Sequence, residues 1–391
     1  MILFPSFAFR PEFEEIEQIV QAVIKKLGHK FSGPADDLIG IQTRLDALES
    51  LLKPSSKDDG FQVLGIRGMG GIGKTTLATV LYDRISSQFD ACCYIENVRK
   101  VYEDGGASAL QKQILCQTMQ EKILDTYNPS EIARIVRYRL QHIKLLVVLD
   151  NVDQIEQLHD LDIKHVLLHP ESRLIIITRD EHILTAYGCI VYEVELMNDD
   201  EAHKLLCKKA FVSDYSSSTF SELIPEVLKY TQGLPLAIRV IGSFLHSRNA
   251  KQWRATLNRW KNSPPDEILK VLEVSYDGLF KEDKEIFLHV ACFFKGERKD
   301  YVSRVLDACD LQPDIGIPLL AENSLITIKN EEIHMHEMLQ ELGKKIVREK
   351  HRDEPGFWSR LWLYQDFHHA MMTEKVTYFF IQIFILFSYF H

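Results

Sequence analysis

The chain has 391 residues, of which 46% are hydrophobic and 26% charged, so it is long enough for roughly two to three globular domains. Its formal net charge of −10 and the absence of a basic run argue against a nucleic-acid partner held through its phosphate backbone. Seven cysteines occur without a C-x-x-C spacing, which is typical of reduced thiols in a cytoplasmic protein.

Two amphipathic helices are predicted before the first strand. In residues 11–27 and 39–52, apolar side chains recur at the three- and four-residue spacing of a helix. The stretch FSGPADD, residues 31–37, is interpreted as a linker between them.

The sequence GMGGIGKTT at residues 68–76 matches G-x-x-x-x-G-K-[ST], the phosphate-binding P-loop. Its glycines allow a tight turn in which successive N–H groups point at one anion. Lys74 is predicted to place its charge on the β- and γ-phosphates, and the Thr75 hydroxyl to ligate Mg²⁺. An apolar run at 61–66 precedes the loop and a helical pattern follows it, which is the order the motif requires. These features predict the core of a P-loop nucleoside triphosphatase.

Further apolar runs alternate with helical patterns after the loop. Strands are predicted at 91–95, 145–150, 173–180 and 190–194, with helices that include 108–123 and 130–142. Strands that alternate with helices predict an α/β domain with a parallel sheet covered on both faces.

Two of these strands end in residues that suit phosphate chemistry. Asp150 closes the run LLVVLD, where a P-loop enzyme keeps its second Mg²⁺ contact, although an aspartate there could also be a solvated turn residue. Arg179 follows the next strand at the same edge and could reach a γ-phosphate, although an isolated arginine could equally lie on the surface.

Past residue 195 only helices are predicted, until a hairpin near the end. The helical pattern is broken at Gly233-Leu234-Pro235, which fits a helix–helix corner. Helices at 266–278, 282–293 and 298–309, a hairpin formed by 324–328 and 332–336, and a helix at 337–349 together indicate a winged helix. No helix of this region carries a cluster of Lys and Arg, so DNA binding is not expected.

The final stretch, residues 376–391, is almost entirely aromatic and aliphatic. It is shorter than the roughly 20 residues that a membrane span needs, so membrane insertion is not expected. Its composition instead predicts an aggregation-prone segment.

The order of these pieces resembles the NB-ARC domain of plant disease-resistance proteins, in the subclass that follows a TIR domain. The motifs that carry the resemblance are LIGIQTRLDALESLL, FDACCYIENVRK, LLVVLDNVDQ, SRLIIITRD, GLPLA, FLHVACFF and MHEMLQELGKKIVRE, together with the P-loop. Asp153, where the coiled-coil subclass has tryptophan, favours the TIR subclass. The likeness covers about residues 11–370.

The resemblance implies an ADP/ATP-binding molecular switch of the STAND and AAA+-like type. The implied domains are an N-terminal linker helix at 1–38, a P-loop domain at 39–194, a helical subdomain at 195–262, a winged helix at 263–350 and a C-terminal segment at 351–391. The family's nucleotide contacts fall on Ile39, Gly40, Gly71, Ile72, Gly73, Lys74, Thr75, Thr76, Pro235 and His336. Thr75 and Asp150 would hold Mg²⁺, and Arg179 would sense the γ-phosphate. Of these, His336 is the implied contact to the β-phosphate of ADP, although without the resemblance a satisfied histidine at a strand end would be favoured.

Departures from the family pattern refine the expected function. Asn151 stands where members often have a second acid, so hydrolysis at Asp150, Asn151 and Arg179 is predicted to be slow, because an amide is a poor proton acceptor. Glu337 replaces the aspartate that follows the family's histidine, and a glutamate is predicted to cap the helix after it less well. The sequence carries no TIR domain and no leucine-rich repeats, which predicts a truncated member.

Three functions remain open from the sequence. The first is a switch of plant innate immunity that holds ADP or ATP and turns over rarely. The second is a turnover enzyme, either an AAA+ type ATPase or a phosphotransferase. The third is a truncated adaptor that associates with itself or with full-length resistance proteins.

Overall fold

A computed structural model describes residues 38–53, 61–119, 140–163, 169–211, 220–260, 264–349 and 354–372, together with residues 131, 134, 135 and 138. The predicted helix at 11–27, the apolar stretch at 376–391 and most of the predicted helix at 130–142 lie outside the described residues. No helix in the described ranges combines the length and apolar character that crossing a membrane requires.

A five-stranded sheet forms the centre of the first half of the chain. Its strands are β1 Gln62–Arg67, β2 Ala91–Ile95, β3 Leu145–Val152, β4 Arg173–Thr178 and β5 Ile190–Glu193, in the order β2-β3-β4-β1-β5. β1 pairs with β4 and β2 with β3, both in parallel. All six residues of β4, RLIIIT, are buried, as expected of a strand covered on both faces. The predicted α/β parallel sheet is therefore confirmed.

Several helices with defined bounds accompany this sheet in the described part of the chain. They are α1 Ile41–Leu52, α2 Lys74–Ile85, α3 Val98–Met119, α4 Ile155–Leu161 and α5 Glu181–Ala186. The helix predicted from residue 108 begins ten residues earlier, and a change of direction at Gly105 and Gly106 explains why its periodicity was recognised only in the second part. β3 continues past Asp150 to Val152, two residues beyond its predicted end.

The residues fall into two compact units that alternate along the sequence. One contains residues up to Ile66, Thr75–Ile177 and Ala186–Tyr192. The other contains Arg67–Lys74, Thr178–Thr185 and the chain from Glu193 onward. The phosphate-binding loop up to Lys74 and the segment that carries Arg179 therefore belong, by their contacts, to the second unit.

The second unit is built mainly from helices. In the described residues after β5 it contains α6 Asp199–Ala210, α7 Leu223–Thr231, α8 Pro235–Leu245 and α9 Ala250–Trp260. Gln232 and Gly233 both have positive φ at the end of α7, and Pro235 begins α8, so the predicted corner at 233–235 is confirmed. Asn198 caps α6 through a bond from the Glu201 N–H, and Glu201 bonds back to the Asn198 N–H.

The winged-helix part follows with the predicted order of helices and hairpin. Its elements are α10 Asp266–Asp277, α11 Lys281–His289, α12 Lys299–Asp307, α13 Pro313–Glu322, β6 Thr327–Lys329, β7 Glu332–His334 and α14 Glu337–Glu349. α11 continues as a π-helical turn over Val290–Phe294. α13 is not predicted from the sequence, because prolines at 313 and 318 argue against a helix. Pro313 lies in the first turn, where its missing N–H has no cost.

The segment after α14 packs onto the winged helix and ends in α15 Tyr364–Met372. Arg360, which is 2% exposed, donates through Nη2 to the Glu285 carboxylate at 2.6 Å and to the Glu285 carbonyl at 3.2 Å. The Trp358 and Trp362 rings stack at 5.8 Å between centroids, and the Arg348 guanidinium lies 5.6 Å and 4.7 Å from their respective centres. Residues 354–372 are thus a structural part of this unit.

Candidate nucleotide-binding site

The loop between β1 and α2 has the backbone shape that an anion requires. Gly71 and Gly73 have φ values of +80° and +101°, in the left-handed region that side chains other than glycine rarely adopt. A Cβ at Gly73 would meet no atom within 4 Å, so this part of the loop faces open space. Left-handed residues just before a helix direct successive N–H groups to one point, which suits a phosphate group.

Lys74 places its charge inside this loop. It is 9% exposed, and its Nζ donates to the carbonyl oxygens of Gly68 at 2.6 Å and Met69 at 3.0 Å. Thr75 and Thr76 follow in the first turn of α2, where Thr75 is exposed and Thr76 half-buried. The loop residues up to Lys74 therefore bring backbone amide groups and an ammonium into one region.

The first turn of α8 lies directly on the P-loop. The Leu236 N–H donates to the Gly71 carbonyl at 3.2 Å. A Cβ at Gly71 would come within 2.7 Å of the Leu236 Cβ, so only glycine allows this approach. The structure thus brings Pro235, the implied adenine contact, next to the loop, and Leu236 is a loop contact that the sequence analysis did not identify.

Arg179 also lies against the P-loop. A Cβ at Gly70 would be 3.0 Å from Arg179 Nη1. Nη1 donates to the Val271 carbonyl and to the Ser275 hydroxyl of α10, each at 2.9 Å. The predicted γ-phosphate sensor is therefore beside the loop, with this nitrogen bonded to the winged-helix part.

His336 occupies the position before α14, and its ring has two distinct nitrogens. Nδ1 accepts from the Met338 N–H at 3.1 Å, so the ring itself caps the helix. Nε2 is buried and makes no hydrogen bond of standard geometry to the described residues. Burial, and then the nearby Lys295 ammonium, lower the His336 pKa to about 4, although Glu337 and the carbonyls of Thr231 and Gln232 oppose the shift. The imidazole is neutral at pH 7, and Nε2 carries the proton because Nδ1 is an acceptor.

Glu337 is predicted to cap α14 less well than an aspartate would, and the structure places the cap one residue earlier. Glu337 is the first residue of α14, whereas the capping atom belongs to His336. The Glu337 carboxylate instead pairs with Lys295 Nζ at 2.7 Å, and its N–H donates to Gln232 Oε1 at 3.0 Å. Because Gln232 lies four residues before Leu236, the 231–236 corner contacts both the P-loop and the start of α14.

Asp150 and Asn151 lie next to each other in β3 of the first unit. Asp150 is 4% exposed, and its charge adds to the effect of burial in raising the pKa of the nearby Tyr94. Asn151 has a φ of 60°, and its Nδ2 donates to Asn97 Oδ1 at 3.0 Å. An asparagine tolerates this left-handed backbone better than most residues, which is a conformational reason for its presence beside the predicted chemical one. The role of either residue in hydrolysis stays a prediction.

The remaining predicted contacts are also in the first unit. Gly40 has a φ of 71° at the start of α1, and its carbonyl accepts from Arg44 Nη1 at 2.7 Å. Ile39 precedes it and is half-buried. Their proposed contact with adenine stays a prediction.

The donor set suits Mg²⁺ only in combination with phosphate. Among the described residues, no group of three or more His, Cys, Asp or Glu side chains could hold a metal ion. Mg²⁺ at nucleotide sites usually takes one or two protein oxygens and completes its shell with phosphates and water. The Thr75 hydroxyl and the Asp150 carboxylate fit such a partial set.

Two family descriptions match this chain. Residues 42–216 match the NB-ARC domain, and residues 281–351 match the winged-helix domain of Roq1-like disease resistance proteins. The first match includes the five-stranded sheet and the P-loop, and the second includes α11 to α14 of the winged-helix part.

Curated plant proteins align with nearly the whole chain. Disease resistance protein RUN1 of Vitis rotundifolia is 38% identical over 366 residues, which are 93% of this chain and 27% of that protein. TMV resistance protein N of Nicotiana glutinosa is 35% identical over 375 residues, which are 93% of this chain and 32% of that protein. The chain thus spans between about a quarter and a third of the length of these relatives.

A solved structure supports the fold alone. A Walker-type ATPase of Pyrococcus abyssi superposes with a TM-score of 0.56 at 14% identity, over 81% of this chain and 99% of that one.

Proposed function

Because the chain carries an NB-ARC domain followed by the winged-helix domain of Roq1-like disease resistance proteins, we propose that it is a nucleotide-operated switch of plant innate immunity. In this proposal it holds ADP at rest, exchanges it for ATP and hydrolyses ATP slowly. Its partners would be adenine nucleotide with Mg²⁺, and other copies or other resistance proteins, in the cytoplasm.

One observation carries the switch proposal. The P-loop, the start of α8 and the start of α14 belong to one compact unit, and the 231–236 corner makes hydrogen bonds to the first through Leu236 and to the last through Gln232. A nucleotide at the P-loop would therefore lie close to residues of the winged helix. A ligand that contacts the P-loop and the winged helix together in only one of two conformations stabilises that conformation and shifts the equilibrium toward it.

The buried Nε2 of His336 supports a resting state that includes a ligand. Nε2 makes no hydrogen bond of standard geometry to a described residue, although the carbonyls of Thr231 and Gln232 are nearby, so a better-placed acceptor would stabilise it. A phosphate oxygen would satisfy a neutral Nε2–H. Bound ADP would supply that oxygen, together with the charge that Lys74 and the loop amides attract.

The amide side chain of Asn151 favours slow ATP hydrolysis and argues against efficient hydrolysis. In this proposal it orients water near Asp150 but does not accept a proton from it. Arg179 would stabilise a γ-phosphate. The alternatives, a turnover ATPase or an adaptor without nucleotide exchange, differ in steady-state rate and in nucleotide content.

The decisive experiment identifies the nucleotide that the purified protein retains and measures its dependence on Lys74. We expect bound ADP, rare steady-state turnover, and a roughly ten- to hundredfold loss of ATP affinity in Lys74→Ala, because charge-assisted hydrogen bonds contribute ~1.5–3 kcal/mol. Lys204→Ala, at an exposed position of α6, is the control and should bind as the wild type does. Unchanged ATP affinity in Lys74→Ala would refute the nucleotide site. Rapid steady-state ATP turnover by the wild type would instead favour the alternative of a turnover ATPase.

A further inference from the structure

Arg179 is held at two points by the winged-helix part of the second unit. Its Nη1 donates to the Val271 carbonyl and the Ser275 hydroxyl, both on α10 and both at 2.9 Å. Its own carbonyl accepts from the Ser324 hydroxyl at 3.2 Å. Nη1 has two hydrogens, and the two α10 acceptors use both.

The same guanidinium lies against the phosphate-binding loop. A Cβ at Gly70 would be 3.0 Å from Arg179 Nη1, 3.3 Å from its Cζ and 3.1 Å from the Val271 carbonyl. The loop backbone, the guanidinium and α10 are therefore in mutual contact, with no room for an added methyl group. Arg179 is next to the loop while the hydrogens of Nη1 point to α10.

We propose that Ser275 is a positioning residue that holds Arg179 on α10, and that this bond is exchanged for a γ-phosphate contact when ATP replaces ADP. The inference rests on the proposed nucleotide function and adds the residue that biases the choice of nucleotide. A contact between Nη1 and phosphate must displace at least one α10 acceptor, since both hydrogens of Nη1 are used. ADP has no γ-phosphate, so it can bind while the Ser275–Arg179 bond stays in place. The bond therefore favours ADP over ATP.

The expected effect is a shift in nucleotide preference without a loss of binding. Ser275→Ala removes one of the two α10 acceptors and leaves the Val271 carbonyl. Hydrogen bonds to charged groups correspond to roughly ten- to hundredfold in an equilibrium constant, and the remaining acceptor should compensate in part. We therefore expect Ser275→Ala to raise the ratio of ATP to ADP affinity about tenfold. Alanine favours helices more than serine does, so α10 should stay folded.

The experiment measures dissociation constants of the full chain for ADP and for a non-hydrolysable ATP analogue. The variants are Ser275→Ala, Arg179→Ala, the double variant, Ser275→Thr and Ser243→Ala. Ser275→Thr keeps the hydroxyl and should retain the wild-type ratio, as should Ser243→Ala, at an exposed position of α8. In the Arg179→Ala background, Ser275→Ala should have no further effect.

The outcomes separate this inference from the proposed function. If the wild type binds both nucleotides and Ser275→Ala has the wild-type ratio, the inference is overturned and the nucleotide function stands. A shifted ratio that persists without Arg179 would also overturn it, because the serine would then act by another route. If the wild type binds neither nucleotide, both proposals fail.

Discussion

The buried imidazole of His289 is expected to link the stability of the winged-helix part to pH. The residue is 6% exposed, and burial together with the Arg360 charge lowers its pKa to about 3. In the unfolded chain its pKa would be about 6.5. Between these pH values the unfolded state therefore binds one more proton than the folded state. The contribution of neutral His289 to the unfolding free energy is complete above pH 6.5 and is lost as the pH falls toward 3.

We predict that lowering the pH from 7.5 to 5.0 removes roughly 2 kcal/mol of unfolding free energy through His289 alone. His289→Met removes the titrating group with little change in side-chain volume. The variant should therefore lose about 2 kcal/mol less unfolding free energy than the wild type between pH 7.5 and 5.0. Urea midpoints of both proteins at the two pH values provide the measurement. An identical loss in the two proteins would mean that His289 is protonated in the folded chain.

Single residues differ in how far the sequence could identify them. Lys74 and Asp150 could be proposed as site residues from the sequence, because their proposed roles depend on local spacing and on a buried strand. Ser275 and Gln232 could not, because each acts on a residue about a hundred positions away and neither is part of a motif for chemistry. Glu337 was misread because cap positions depend on which residue first adopts helical backbone angles, which the sequence leaves uncertain by a residue.

At the scale of elements, the junction of α7 and α8 depends on one glycine. Gly233 has a φ of +73°, and a Cβ there would come within 2.3 Å of the Met197 carbonyl. The Met197 N–H also donates to the Gly233 carbonyl at 2.9 Å. The backbone on both sides is thus fixed, and no flexible side chain could move aside.

Gly233→Ala is predicted to destabilise the chain by roughly 2–4 kcal/mol, from the left-handed conformation and the disturbed hydrogen bond. Gly278→Ala is the matched control, because Gly278 has a φ of −70° and its nearest atoms would be 3.8 Å from a new Cβ. That control should be neutral or stabilising by up to about 1 kcal/mol. Equal chemical denaturation curves for the two variants would contradict this account of the corner.

The segment after α14 is predicted to contribute to stability through its tryptophans. Trp358 is 5% exposed and packs beside Arg348 and Trp362. Trp358→Ala should cost about 3–5 kcal/mol, the usual range for a buried aromatic. Tyr364→Ala, at a side chain that is 79% exposed, should change stability by less than about 0.5 kcal/mol. Similar melting temperatures for both variants would show that the segment is not docked in solution.

At the scale of the whole molecule, the fold class could be predicted because the order of strands, loop and helices is local information. The predicted NB-ARC and winged-helix domains are confirmed, because residues 42–216 match the first family and residues 281–351 the second. The sequence could not show that the P-loop and the Arg179 segment associate with the helical part, because those contacts join residues far apart in the chain. The domain boundaries predicted along the sequence stay predictions, since the compact units alternate along it.

The proposed resting state makes ADP a stabilising ligand of the whole second unit, and His336 can test this with two substitutions. The ring has a capping role through Nδ1 and a proposed ligand role through Nε2. His336→Ala removes both roles. His336→Asn keeps a capping side chain, since asparagine is among the best N-caps, but removes the atom that would meet the phosphate.

Both variants should release a fluorescent ADP analogue faster than the wild type, and by a similar factor. Only His336→Ala should also lose about 1 kcal/mol of stability without nucleotide, the usual cost of a lost cap. In the wild type, each tenfold rise in ADP above its dissociation constant should add about 1.4 kcal/mol to the unfolding free energy. Off-rates and urea midpoints separate the two roles. Equal ADP off-rates in all three proteins would remove His336 from the nucleotide site and leave it as a helix cap. The release rate of a ligand that the imidazole does not contact would not depend on Nε2.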